Sequence, residues 1–301
     1  MPQDLATFLQ QLFNGLSIGS IYVLVALGIT LIFGLTRLLN FAHGQFLVLG
    51  SFIALTAVDA NIPYWAAVIL AALAVGTAGV LLDRLVFRPT LAVPLNGFIV
   101  SLGLIIALSA IYVEIWTPDT FQIDSPVTGV WDWGGVRITH GRALLLVVTA
   151  ALIVALFVIL RRTDAGRSMR AVAENPEAAA IVGVNVSRSI STAFFLGSAM
   201  AAIGGALLGI LFPFTAFSGT GFVIKGVAVA LIGGLGSIEG AVVIGLVLGV
   251  AETFGVAYGV DIGVYKFGPE WRDGYAFLLM IAVLIWRPHG LFGAAGIRTE
   301  A

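Results

Sequence analysis

The sequence predicts an all-α fold, a polytopic bundle of about eight or nine helices crossing a lipid bilayer. Composition carries much of this. Hydrophobic residues make up 59% of the 301 and charged residues only 10%, where a water-soluble domain carries about 25% charge. Such a chain cannot cover a water-facing surface. Apolar runs approaching the ~20 residues needed to span the hydrocarbon core recur along its length. Arginine gathers in a few of the connections between them, the asymmetry that orients membrane helices.

The runs are taken in order. Phe8–Leu35 is a first span: no basic residue precedes Arg37, so a positive n-region is absent, and the run is too long for a signal h-region. Phe41–Val58, Tyr64–Leu82, Gly97–Trp116 and Arg142–Leu160 follow, then Ser191–Phe212, Phe222–Leu235, Gly240–Ala257 and Trp271–Trp286. Phe222–Leu235 is short for a crossing and reads as a span or a half-helix; without it the count falls from nine to eight. Arg161, Arg162, Arg167, Arg170 and Arg188 mark residues 161–188 as cytoplasmic, as Arg84 and Arg88 mark their own loop and Arg287 and Arg298 the C-terminus. Residues 118–141 carry Asp119, Asp124 and Asp132 with Trp131 and Trp133, and read as an outer loop with aromatic anchors. Nine crossings place the N-terminus outside, within a single domain over 1–301.

Several function classes are excluded. A net charge of −1 supplies no basic stripe for a nucleic acid. Without cysteine there is no thiolate chemistry. His43, His140 and His289 stand too far apart in sequence to suggest a metal site, so neither metal, cofactor nor catalytic residue is expected. Glycine is frequent, 37 residues. Gly15/Gly19, Gly205/Gly209, Gly245/Gly249 and Gly255/Gly259 have the four-residue spacing that lets helix backbones approach closely in lipid. Leu31–Leu35 is faintly echoed at Leu231–Leu235, as in transporters with internal repeats.

The stretch 161–188 is too structured for a linker. Ala165–Glu174 is rich in helix formers, with Arg167 and Arg170 on one face. Asn175-Pro176-Glu177 is a helix start: an N-cap, a proline at the first position and an acid in the first turn. Ala178 to Val182 continue it, and Gly183 suits the stop. Two short helices result; a plain amphipathic surface segment is the alternative. Ionisable residues within spans cost roughly 2.5–3.5 kcal/mol each, which makes His43, Lys225, Glu239 and Glu252 candidates for a translocation pathway or for pairing inside the bundle. Asn40 either joins them or caps the helix that follows.

Glu177-Ala178-Ala179 followed by Gly183 resembles the EAA loop of ABC importer permeases. Asn40-Phe41-Ala42-His43-Gly44-Gln45-Phe46, Gly233 to Gly240, and Arg287-Pro288-His289-Gly290-Leu291-Phe292-Gly293 are similar to three further signatures of the branched-chain amino acid permeases, LivH type. Gln45 stands where many members are expected to carry an acid. The resemblance runs from about Leu12 to Gly293. It implies an ABC importer permease in a bacterial inner membrane, with Arg167, Arg170, Glu177, Ala178, Ala179 and Gly183 at the ATPase contact, and Asn40, His43, Gln45, Lys225 and Glu239 along the pathway. It also implies partners: a second, LivM-type permease, two ATPase subunits and a periplasmic substrate-binding protein. The chain has no phosphate-binding loop of its own. An ion-gradient-driven secondary transporter would want paired intramembrane acids, and a membrane enzyme a clustered polar site. The substrate among amino acids, amides and urea is left open. The map of sides is checked by cysteine labelling in this cysteine-free chain: a cysteine at Asp124 should react with an impermeant reagent added outside, and protection there would reverse the map.

Overall fold

The computed structural model describes residues 3–91, 93–262, 265–267 and 269–293. Eleven α-helices occur among them: α1 (Gln3–Thr36), α2 (His43–Asp59), α3 (Tyr64–Leu82), α4 (Pro94–Trp116), α5 (His140–Arg162), α6 (Asp164–Glu174), α7 (Pro176–Ile181), α8 (Val186–Leu211), α9 (Ser218–Gly233), α10 (Ile238–Tyr258) and α11 (Arg272–Trp286). Each of the nine runs read from the sequence coincides with one of them. Six helices, α1, α3, α4, α5, α8 and α10, are long and apolar enough to cross a membrane. The other three have 17, 16 and 15 residues, short of the ~20 a full crossing takes. α2 starts at His43 rather than Phe41, whereas α9 starts at Ser218, ahead of the expected Phe222, and ends at Gly233 rather than Leu235.

Burial sorts the helices into two sets. In the most apolar stretches of α1 and α8, 78% and 72% of residues are inside the protein; in α4 it is 17%. α1 and α8 form the centre, and α4 shows Leu95, Ile99, Leu102 and Ile106 outward. Bilayer tails are as apolar as leucine, so the hydrophobic effect does not press such helices together; close backbone fit must. The glycine pairs supply it. Gly15 and Gly19 of α1 lie against Gly249, Val250, Gly245 and Leu246 of α10. A Cβ on Gly15 would come within 2.6 Å of the Val250 Cα, and one on Gly19 within 2.8 Å of the Gly245 carbonyl oxygen. Gly205 abuts Leu47 of α2, Gly209 meets Ile123, and Gly255 faces the Tyr275 ring.

At one end of the bundle, the short hairpin of β1 (Val130–Trp133) and β2 (Val136–Thr139) leads into α5. The preceding connection is tied to the α8–α9 turn by paired backbone hydrogen bonds between Phe121 and Phe214, both 2.9 Å. At the opposite end, α3 passes into a π-helical turn, Asp83–Phe87. There the buried Asp83 carboxylate accepts from Arg88 at 2.6 Å and from Ser191 at 2.7 Å, joining the end of α3 to the start of α8. Arg88 also donates to Ser187. Nearby the C-terminal segment docks on α9. Leu291 and Phe292 donate N–H groups to the carbonyls of Ile232 and Gly233 at 2.8 and 3.1 Å, carbonyls that a helix C-terminus leaves unpaired. Gly234 (φ +97°) and Gly290 (φ +79°) meet there.

Gly249→Leu should separate α1 from α10, because the added carbon would run into the Gly19 backbone; overpacking of this kind costs about 1–3 kcal/mol. Gly103→Leu on α4 enters open space and should be tolerated. Size-exclusion profiles of both variants in detergent test the difference: a monodisperse Gly249→Leu protein at wild-type yield would contradict the role assigned to the glycines.

Candidate functional site

The same face of α1 that carries Gly15 and Gly19 continues to Tyr22, and the same face of α10 that carries Gly245 and Gly249 continues to Glu252, both at i, i+4, i+7. Helix side chains lean toward their own N-termini. On two antiparallel helices, Tyr22 and Glu252 therefore lean toward each other across the glycine contact. The Tyr22 hydroxyl donates to Glu252 Oε2 at 2.7 Å.

α9 brings Lys225 to this pair. Its Nζ donates to Glu252 Oε2 and to Tyr22 Oη, both at 3.0 Å, and pairs with Asp273 Oδ1 of α11 at 2.9 Å. The Glu252 side chain is fully buried and that of Lys225 is 11% exposed, whereas Asp273 is 72% exposed. The cluster thus runs from the interior to an accessible edge. An adjoining cavity of about 170 Å³ is lined by Ile18, Ile21, Tyr22, Phe222, Lys225 and Asp273. Lys225 meets the requirement that a buried charge be paired, and it also lines a space that a small molecule could enter.

A second polar group surrounds the start of α2. Asn40 does not cap at Phe41: its Oδ1 accepts from the Ala42 N–H at 3.0 Å, and the helix begins at His43. His43 is wholly buried where α1, α2 and α8 cross, so tightly that a Cβ on Gly28 would run into its Nε2 and lie 2.9 Å from the Gly197 carbonyl oxygen. Neither ring nitrogen has a hydrogen-bond partner among the described residues. Gln45 donates to Ser109 Oγ of α4 at 3.2 Å, and its backbone carbonyl accepts from Tyr112 at 3.1 Å. Gly44 lies against Gly219 and Val223 of α9. Asn40, His43 and Gln45 are thus together, and α9 links them to Lys225.

Glu239 is elsewhere. It sits at the start of α10, its side chain 56% exposed, and pairs with Arg161 at 3.3 Å. It belongs to the end of the bundle that carries α6 and α7. There Thr163 caps α6 and Asn175 caps α7, its Oδ1 accepting from the Ala178 N–H at 2.9 Å. α7 stops as its glycine predicts: Val184 N–H reaches the Ala179 carbonyl and Gly183 N–H the Ala180 carbonyl, both at 3.0 Å, with Gly183 at φ +86°. Glu177, Ala178, Ile181 and Val182 are exposed, the last two at 86% and 78%. Ala179 departs from the expected docking face, because it is buried against its own chain. Arg167 pairs with Asp164.

Sequence reading missed Tyr22 and Asp273, the partners of Lys225. Asp273 was legible as an acid in the first turn of the last span; a tyrosine within an apolar run gives no such signal. It also missed Asp83, whose hint was an acid beside two arginines at the end of a span.

If the Lys225–Glu252 pair holds the helices, Lys225→Met alone should destabilise the protein by about 3–5 kcal/mol by leaving Glu252 buried without its cation. Lys225→Met with Glu252→Gln should recover most of that loss. Thermal unfolding in detergent measures both. A double variant as unstable as the single would show that the pair is not coupled.

The family described as the branched-chain amino acid transport system permease component matches residues 11–284. The permease protein BraD of Pseudomonas aeruginosa, of a high-affinity branched-chain amino acid transport system, is 35% identical over 318 residues, covering 97% of this chain and 98% of its own. The permease LivH of Escherichia coli is 32% identical, with the same coverage. The permease LivM of Salmonella typhimurium is 29% identical over 90% of this chain and 67% of its own. No solved structure matches the chain.

Proposed function

The chain belongs to the branched-chain amino acid permease family, and from that premise we propose that it is the permease subunit of an ABC importer for branched-chain or related small amino acids. It acts in the inner membrane of a bacterium beside a second, LivM-type permease. Two ATPase subunits bind at the α6–α7 end, and a periplasmic binding protein delivers cargo at the end that carries the hairpin. α2, α9 and α11 complete the crossings in this reading, and the chain itself carries out no covalent chemistry.

The observation that carries the proposal is α7. A six-residue helix capped at both ends presents Ile181 and Val182 to solvent. Exposed large apolar residues on a rigid tip are suited to a groove on a partner. Ala178 is exposed beside them, so its small size lets the helix seat, and Glu177 in the first turn can meet a basic group. Ala179 acts from within, fixing α7 to its own chain. Arg167 and Arg170 of α6 flank the contact. ATP-driven closure would move α6 and α7, and Asp83, Arg88 and Ser191 would pass that movement from α8 to α3.

The cargo path passes the cavity at Lys225, with Asn40, His43 and Gln45 at the helix crossing that must change when the bundle switches its opening. Glu239 stands at the inner mouth. The acids Glu252 and Asp273, flanking Lys225, favour a second reading, an ion-coupled transporter. Uptake that persists without ATP and collapses with an ionophore would select it.

Ala178→Trp should overpack the contact, and Gly183→Val should strain a left-handed position that valine tolerates poorly. Both are expected to leave the permease in the membrane while lowering ATPase co-purification and amino acid uptake at least tenfold, since about 1.4 kcal/mol suffices for that. Wild-type co-purification and uptake in both variants would remove the coupling role.

A further inference from the structure

A cavity of about 220 Å³ lies at the α6–α7 end, between α1, α5, α6 and the start of α10, away from the Lys225 cluster. Its walls are chemically divided. Leu31, Leu35, Phe157 and Leu160 make an apolar side. Arg161 and Glu239 face it from α5 and α10, and Arg170 from α6. Arg161 pairs with Glu239 through Oε1 alone, and Arg170 has no ion pair or hydrogen bond with the described residues, so an unpaired cation and the second Glu239 oxygen share one mouth. Thr30 also lines the cavity. It is 1% exposed, and its hydroxyl has no partner among the described residues. Buried hydroxyls are ordinarily bonded, so this space is unlike a dry void.

We propose that this cavity binds a zwitterionic amino acid with an apolar side chain, released on the cytoplasmic side, and that its occupancy slows further import. The chemistry selects the ligand. Arg170 takes the carboxylate in a charge-assisted hydrogen bond, Glu239 takes the ammonium group, and the alkyl chain lies against Leu31 and Leu35. A simple anion would leave the second Glu239 oxygen without a cation, and a purely apolar molecule would leave Arg170 without an anion. The consequence follows from which elements line the space. A ligand held between Arg170 and the other three helices ties α6, and with it α7, to the bundle. A ligand that binds one arrangement of α6 better than another shifts the population toward it, so accumulated product would hold the coupling segment in place. The inference rests on the importer reading for its physiological sense, while the binding chemistry rests on the cavity.

The experiment uses the complete transporter in proteoliposomes, with ATP and graded unlabelled leucine in the lumen and the binding protein with labelled leucine outside. Lumenal leucine should slow initial uptake, whereas 4-methylpentanoate, which lacks the ammonium group, and 3-methylbutylamine, which lacks the carboxylate, should not. Arg170→Gln should raise the half-inhibitory concentration about tenfold, the effect of losing one charge-assisted hydrogen bond, and Leu35→Trp, which fills the cavity, should abolish inhibition. Uptake insensitive to lumenal leucine in the wild type, or wild-type sensitivity in both variants, would overturn the proposal. Absence of uptake even with a leucine-free lumen would count against the importer reading instead. In that case the thermal unfolding of the purified permease decides: a leucine-dependent rise in Tm that both variants lose supports the site, and no rise in the wild type overturns it.

Discussion

Backbone contact between α1 and α10 is the constraint on which the rest of this structure depends. Two apolar helices in lipid gain little from hiding from solvent, because the tails around them are equally apolar. They stay together when their backbones come close enough for dispersion to act along their length. Gly15, Gly19, Gly245 and Gly249 permit that approach. They also fix the sliding position of one helix along the other, so that Tyr22 and Glu252 reach hydrogen-bond distance across the glycine contact. A shift of one helical turn, about 5.4 Å, would take the Tyr22 donor away from the buried carboxylate.

Polar groups then specify what close contact alone leaves degenerate. Glu252 is buried and would be costly in hydrocarbon by itself. Its bond to Tyr22 and its pairing with Lys225 lower that cost and recruit α9, and Asp273 recruits α11. The cluster binds four helices at one point. Asp83, Arg88 and Ser191 do comparable work for α3 and α8 at the end of the bundle near α7. The His43 crossing differs. It is tight and fully buried, and its ring nitrogens are unpartnered among the described residues. Buried polar groups are ordinarily bonded, so this crossing is held by packing and not by a polar network.

The end that carries α6 and α7 combines rigidity with exposure. Thr163 and Asn175 cap the two short helices and Gly183 closes the second. Six residues cannot sustain an isolated helix, so α7 persists through its caps and the burial of Ala179. Its outward face is thereby held in shape by its own chain. The glycine-rich end of α9 and the C-terminal segment complete this end, each satisfying the other's backbone groups.

The sequence by itself determined the class of protein, because charge content and the length of apolar runs limit where a chain can reside. It also determined the family, through motifs whose residues are local. The α6–α7 segment was legible down to the Asn175 cap and the Gly183 stop, since capping acts over three or four residues of contiguous chain. Glycine spacing announced close contacts but could not say which pair meets which. That Gly15 and Gly19 meet Gly245 and Gly249, that Lys225 is shared by Glu252, Tyr22 and Asp273, and that Glu239 stands apart with Arg161 were decided only by tertiary structure. A partner some 230 positions away is chosen by how helices stack and slide, and that depends on every contact in the bundle at once.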